Sequence, residues 1–453
     1  MTEALDVAEI QGDLLKGYTH RAAAYVFVTV HNATGGRRWL AELLPHVTSA
    51  EPWADKPDST LNVSFTYAGL AALGVERAIL DTFPDEFREG MAARRAHLGD
   101  RGPSSPENWD AGFGVGQVHV EVDIHGRSAV ALEDRCHWLH EAVASTNGAV
   151  TLVRDQRADF LDTGRDHFGF NDGIARPAVL GCDDDDARPG NGLPLPGGGW
   201  RLIRPGEFVL GYEDEDGARP AAPAPPFDRN ATFEVYRRMH MNVALFRSYF
   251  EQAGQGYPGG AEMLMAKVVG RWPDGTPLEL SPDRPDPAIA GDRNRVNDFR
   301  YADDPDGVRC PLGAHIRRTN PRDHDGMFGG KLSNRHKIIR RGRPYGPPLE
   351  PGVSDVERDR EERGLVFRCF QASIARQFET IQSLWVDDGD GLDQGADKDF
   401  LIGDGTGSNK MTVPGAPPYL LTPQPVFTVV KGGEYLVRPS LRALRWLAAG
   451  ARP

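Results

Sequence analysis

The chain has 453 residues, a net charge of −13, and 40% hydrophobic and 26% charged residues. That length exceeds what one hydrophobic core organises and implies two domains. The acidic balance argues against a nucleic-acid or anionic-membrane surface, and no apolar run reaches the ~18 residues that span a bilayer.

Residues 1–10 carry Glu3, Asp6 and Glu9 and have neither a basic nor an apolar stretch. No secretion signal is expected there, and a cytoplasmic protein is expected. Ala23–His31 is rich in β-branched and aromatic residues and reads as a strand. Arg37–Leu44 has helical periodicity, and Leu61–Tyr67 alternates as a second strand. Asp85–His97 reads as a charged surface helix. Gln117–Ile124 places Val118, Val120, Val122 and Ile124 on one face. Ser128–Ser145 is an amphipathic helix, and Ala149–Arg154 closes the unit with a strand. The order β-α-β, insertion, β-α-β fits a ferredoxin-like unit.

An irregular stretch, Asp155–Gly181, follows. Next come an acidic run at Asp183–Asp186 and a Pro/Gly-rich segment at Pro194–Gly199. Glu213–Asn230 reads as a linker, because proline and charge leave nothing to bury. In the second half, Thr232–Met241 reads as a strand, and Val243–Ala253 and Glu262–Val269 as helices. Ile338–Gly342 and Leu365–Gln371 read as strands, and Ile374–Val386 as a helix. Pro425–Val430 and Glu434–Pro439 are expected to form a hairpin around Lys431-Gly432-Gly433, before a last helix, Leu441–Ala449. The fold class is therefore α+β, with two ferredoxin-like domains at 1–215 and 229–453. The two halves share no visible sequence repeat, so the duplication rests on element order.

Three segments carry the chemistry. Cys310–Arg322 holds one imidazole, His315, among small residues and Arg317, Arg318 and Arg322. An imidazole with open approach suits haem iron, and guanidinium groups suit haem propionates. Asp172 lies in Gly-Phe-Asn-Asp-Gly, where Gly173 permits positive φ or close approach of a flat ligand. Its carboxylate suits general acid/base work, or an Asx turn or helix cap. Ile338–Gly346 carries Arg340 and Arg341 to opposite faces of a strand, and alternation alone leaves open which arginine points inward. Together the segments supply what a haem peroxidase needs: an iron ligand, a proton carrier, and a cation for the charge that develops as O–O breaks.

The remaining cysteines and histidines suggest no second site. Cys136, Cys182, Cys310 and Cys369 make no Cys-x-x-Cys pair, which argues against zinc-finger and thioredoxin chemistry and for a reducing compartment. His137 and His140 lie three apart on one helix but have no evident third ligand. His119 and His125 flank a strand. His167 is read as structural. Gly112–Gly116 precedes a strand rather than following one, so it does not fit dinucleotide binding.

The sequence resembles the dye-decolourising (DyP-type) peroxidase family, in its longer signal-less bacterial branch. Gly169–Gly173 matches the family's Gly-x-x-Asp-Gly motif, within His167–Ile174. Cys310–Arg322 resembles its proximal histidine segment, and Ile338–Gly346 its distal arginine segment. Ile10–Tyr18, Pro205–Tyr212 and Gly364–Phe367 through Trp385 are also similar. The resemblance implies haem b bound in the C-terminal half, between sheet and helices. It implies His315 as axial ligand, Asp172 and Arg340 as catalytic residues, Arg322 on a propionate, and Leu365 and Phe367 on the distal side. It further implies a carboxylate behind the proximal imidazole, with Asp399 as the candidate.

The implied reaction reduces hydrogen peroxide through a ferryl intermediate and oxidises a dye-like, phenolic or similar small reductant. Neither nucleic acid nor membrane is an expected partner, and self-association is left open. A haem carrier or sensor, or a protein that removes iron from haem, is the rival reading. Trp385 and Tyr345 are candidates for carrying radicals to bulky substrates. The sequence departs from the family pattern at Ile174-Ala175-Arg176-Pro177, where Arg176 adds a cation of unknown direction.

Overall fold

The computed structural model describes residues 3–182, 187–195, 197–324 and 331–450. The acidic run at 183–186 lies outside them. Among the described residues the main body is a nine-stranded sheet. Its strands are β1 (Ala22–Val30), β2 (Ser59–Phe65), β3 (Val120–Gly126), β4 (Val150–Asp159), β5 (Thr232–Met241), β6 (Ile339–Arg340), β7 (Arg343–Tyr345), β8 (Gly364–Gln371) and β9 (Thr428–Arg438). The spatial order is β4-β1-β3-β2-β9-β5-β8-β6, with β7 also pairing to β8. Each half repeats the same antiparallel pattern, in which the last strand lies beside the first. The halves meet where β9 pairs with β2, at Val437 and Phe65. This is the α+β architecture of two ferredoxin-like units, joined edge to edge.

Helix α1 (Ala33–Leu43) and α2 (Ala129–Ala144) pack on the first half. Ser128 caps α2 by accepting the Ala131 N–H. The second half carries α3 (Val243–Gly254), α4 (Gly260–Val269), α5 (His315–Thr319) and α6 (Leu441–Ala449).

Strand alternation divides the second half's sheet into two different faces. On one face β5 turns Arg237, Met239 and Met241 into a cavity, β8 turns in Leu365 and Phe367, and β9 turns in Thr428 and Val430. On the other, Glu234 of β5, Arg368 of β8 and Arg438 of β9 meet Glu121 and Asp123 of β3 and Asp13, all buried. Arg368 donates to Glu234 and Asp123 at 2.6 Å each. Arg438 donates to Asp123 at 2.8 Å and to Glu234 at 3.0 Å. The polar side of β3, which alternates like a solvent face, thus faces a buried charge cluster joining both halves.

Several segments depart from the sequence expectation. Residues 428–438 form one strand, with an irregularity between Val430 and Gly432, and not a hairpin. The glycine pair serves packing: a Cβ on Gly432 would lie 2.4 Å from the Phe113 ring. Residues 85–97 form a broken chain of short helices, interrupted at Gly90. Residues 375–386 are wound as π-helix. The expected linker at 213–230 is irregular but not loose. Phe227 is fully buried in the core, and buried Asp214 accepts from Arg335 at 2.7 Å.

Candidate active site

A cavity of about 300 Å³ lies against the second half's sheet. Its walls come from both halves: residues 98–104, 166–177 and 190–192 from the first, and β5, β8, β9, α5 and the π-helix from the second. His315, Asp172, Arg340, Arg322, Leu365 and Phe367 all line it. The structure therefore brings these six residues together, whereas Arg317 and Arg318 of the same segment as His315 lie outside the cavity lining.

His315 is the first residue of α5, immediately after the N-cap Ala314. Its Nδ1 lies 2.9 Å from Asp399 Oδ2, so the imidazole donates there and presents its other nitrogen as a free ligand. Asp399 is fully buried, and its Oδ1 accepts the Leu401 and Ile402 N–H groups, both at 2.9 Å. Burial opposes its ionisation, but His315, Arg318 and the Ile402 N–H together hold its pKa below the usual carboxylate value.

On the distal side, Arg340 Nη1 donates to Asp172 Oδ1 at 3.2 Å. Their side chains are 39% and 48% exposed, and both lie on the cavity wall. Gly173 adopts φ +73°, which a side-chain-bearing residue rarely takes. Burial would raise the Asp172 pKa. The Arg340 charge, the Gly173 N–H and the Arg340 hydrogen bond outweigh it and leave the carboxyl below its ordinary value.

The strand phase left open by alternation is settled by contacts. Arg341 donates to the carbonyls of Asp13 (2.8 Å) and Leu14 (3.1 Å). Arg343 is buried against the carbonyls of Tyr18, His20 and Arg21. Of these three arginines, Arg340 is the one lining the cavity. The neighbours of His315 are structural: Arg317 pairs with Asp304, and Arg318 donates to the Trp385 and Asp388 carbonyls.

Arg322 lines the cavity, and its Nη1 and Nη2 donate to Asn297 and Phe299 oxygens. Its φ of +55° is unusual for a residue with a side chain. Arg176 also lines the cavity, with its Nε donating to the Gly173 carbonyl. Trp385 lines the cavity but is buried. Tyr345 is buried away from it, so neither presents a ring at the outer surface. His167 meets the Tyr345 carbonyl at 2.8 Å and does not line the cavity.

Sequence reasoning missed Asp166, Arg271 and Lys337, which also line the cavity. Burial, aided by the nearby Asp172 charge, pushes the Asp166 pKa up to about 7. Its signal was its place six residues before Asp172, in the same irregular stretch.

The site suits a haem. An imidazole fixed by a buried carboxylate is a proximal ligand's donor set, a carboxylate–guanidinium pair faces the same cavity, and Leu365, Phe367, Phe378 and Ile381 supply apolar wall.

Comparison with known proteins agrees. Residues 9–157 match the DyP dimeric alpha+beta barrel domain, and residues 267–399 the C-terminal domain of Dyp-type peroxidases. Dye-decolorizing peroxidase msp1 of Mycetinis scorodonius is 31% identical, over 97% of this chain and 87% of that one. Multifunctional dye peroxidase DyP2 of Amycolatopsis is 29% identical, over 97% and 95%. A solved dye-decolorizing peroxidase in complex with 2,6-dimethoxyphenol superimposes with a TM-score of 0.83 at 29% identity, covering 98% of this chain and all of that one. Deferrochelatases of Yersinia match only 24% of the chain.

Proposed function

The chain belongs to the dye-decolorizing peroxidase family, and from that premise we propose that it binds haem b through His315 and reduces hydrogen peroxide on the face lined by Asp172 and Arg340. It is a haem peroxidase, oxidising dyes and phenols. Haem, when bound, supplies the iron at which peroxide is activated and the redox equivalents passed to the reductant. The remaining chemistry falls to this chain's side chains.

Asp172, ionised by its arginine neighbour, accepts a proton from one peroxide oxygen. It returns that proton to the other oxygen, which leaves as water. Arg340 places fixed positive charge where negative charge grows as the O–O bond breaks. Behind the opposite wall, Asp399 orients the imidazole and makes its free nitrogen a stronger donor. Leu365 and Phe367 exclude water from the reacting oxygens. Arg322 would hold a propionate of the bound haem. Two one-electron reductants, dye-like or phenolic, complete the turnover.

The observation that carries this reading is the 3.2 Å Arg340–Asp172 pair on the wall of the cavity that also holds His315. A haem carrier or sensor has no need of such a pair. One equivalent of peroxide added to the ferric protein tests it: a carrier leaves the Soret band unchanged and oxidises no phenol, whereas a peroxidase shifts the band and then oxidises the phenol.

The proposal divides the chain into domains 1–215 and 229–453, supported by the repeated strand order on either side. A cytoplasmic setting is supported by Cys136, Cys310 and Cys369, which are buried and form no disulfide among the described residues. Among the described residues no helix is long and apolar enough to cross a membrane.

A further inference from the structure

Four cations line the cavity without a carboxylate partner among the described residues: Arg176, whose Nε donates to the Gly173 carbonyl, and Arg271, Arg322 and Lys337. Each is held by neutral oxygens. Arg271 donates to the Gly275 carbonyl at 2.9 Å, the Val296 carbonyl at 2.7 Å and Asn297 Oδ1 at 2.9 Å. Arg322 donates to the same Asn297 Oδ1 at 2.6 Å, and to the Asn297 and Phe299 carbonyls. The Lys337 ammonium donates to Asn320 Oδ1. By contrast, Arg340, Arg237 and Arg101 in the same cavity are met by Asp172, Asp100 and Asp404.

Like charges crowd this wall. Burial first, and then the Arg322 charge, bring the Lys337 pKa down to about 7 and the Arg271 pKa down to about 10. Cations removed from water are costly unless an anion joins them. Lys337 has three donor hydrogens and one acceptor among the described residues, so it retains capacity for a ligand oxygen. Asn320 and Arg322 flank Pro321 on the chain that leaves α5, so the cationic wall is covalently tied to the helix bearing His315. The anion this wall fits is a carboxylate on the same ligand that His315 holds.

We propose that Lys337 is a haem-binding residue that receives a propionate carboxylate beside Arg322, with Arg271 adding positive charge to the same wall. This rests on the haem reading above. No covalent step is involved.

The test measures release of cofactor from the full-length holoprotein to excess apomyoglobin. Wild type, Lys337→Met, Lys337→Arg and His315→Ala are each loaded with protohaem or with its dimethyl ester, which lacks the propionate charges. Lys337→Met should release protohaem about tenfold or more faster than wild type, the scale of a lost hydrogen bond to a charged group. It should release the ester no faster than wild type does, and Lys337→Arg should stay near wild type. A Lys337→Met rate equal to wild type for protohaem overturns the proposal. So does an equal acceleration for acid and ester, which marks a packing defect. If His315→Ala instead retains protohaem as firmly as wild type, the haem reading itself fails, whatever Lys337 does.

Discussion

Asp399 accepts the His315 Nδ1–H across 2.9 Å while its other oxygen is held by two backbone N–H groups, so the imidazole has one orientation and one tautomer. Asp399→Asn keeps an oxygen for that contact and removes the charge. The haem iron should then become easier to reduce, and turnover should fall about 10- to 100-fold, the usual scale for a lost outer-shell partner. Spectroelectrochemical titration beside steady-state assays checks both effects. An unchanged potential would show that the carboxylate does not act on the iron through His315.

The Arg340–Asp172 pair sets a pH dependence. The Asp172 pKa is held below its ordinary value, so its ionised form is present above that pKa and is lost as pH falls through it. Removing the guanidinium in Arg340→Leu takes away the main influence lowering it. The acid limb of the peroxide reaction should therefore move to higher pH, with the plateau rate about 10²- to 10³-fold lower. A rate–pH profile for both proteins checks this. A limb that stays in place assigns it to another group.

Stability should depend on the buried cluster between the halves. Arg368→Met leaves Asp13, Asp123 and Glu234 with one arginine fewer, and unpaired buried charge costs roughly 3–5 kcal/mol. Glu121 differs: neither carboxylate oxygen has a hydrogen-bond partner, and burial and the Glu234 charge push its pKa well above normal. Burial and that charge favour its neutral form, so Glu121→Gln should cost less than about 1.5 kcal/mol, as near-isosteric swaps do. Urea denaturation of the two variants separates these outcomes.

Most of the fold could be read from period-2 segments whose faces differ in chemistry. β1, β5 and β8 were visible because β-branched and aromatic residues fill them. The glycine pair in β9 misled, because Gly432 makes room for Phe113 rather than a turn, and only the tertiary partner shows this. His315 and Asp172 could be found because glycine and small residues surround each. The choice of Arg340 over Arg341 came from the family resemblance and not from alternation, since β6 has two residues and its phase is fixed by Arg341 reaching the carbonyls of Asp13 and Leu14, more than 300 positions away in sequence. Arg317 and Arg318 looked like ligand cations and proved to be buried braces. Lys337 looked ordinary because nothing local records a missing counter-ion.

If Asp172 moves the peroxide proton at a haem ligated by His315, removing its carboxylate charge should slow the reaction with peroxide and leave the haem in place. Stopped-flow mixing of ferric wild type and Asp172→Asn with one equivalent of hydrogen peroxide, followed in the Soret band, tests it most directly. Haem content and resting spectrum should be equal, with Asp172→Asn reacting at least about 100-fold more slowly. An Asp172→Asn rate equal to wild type would contradict it.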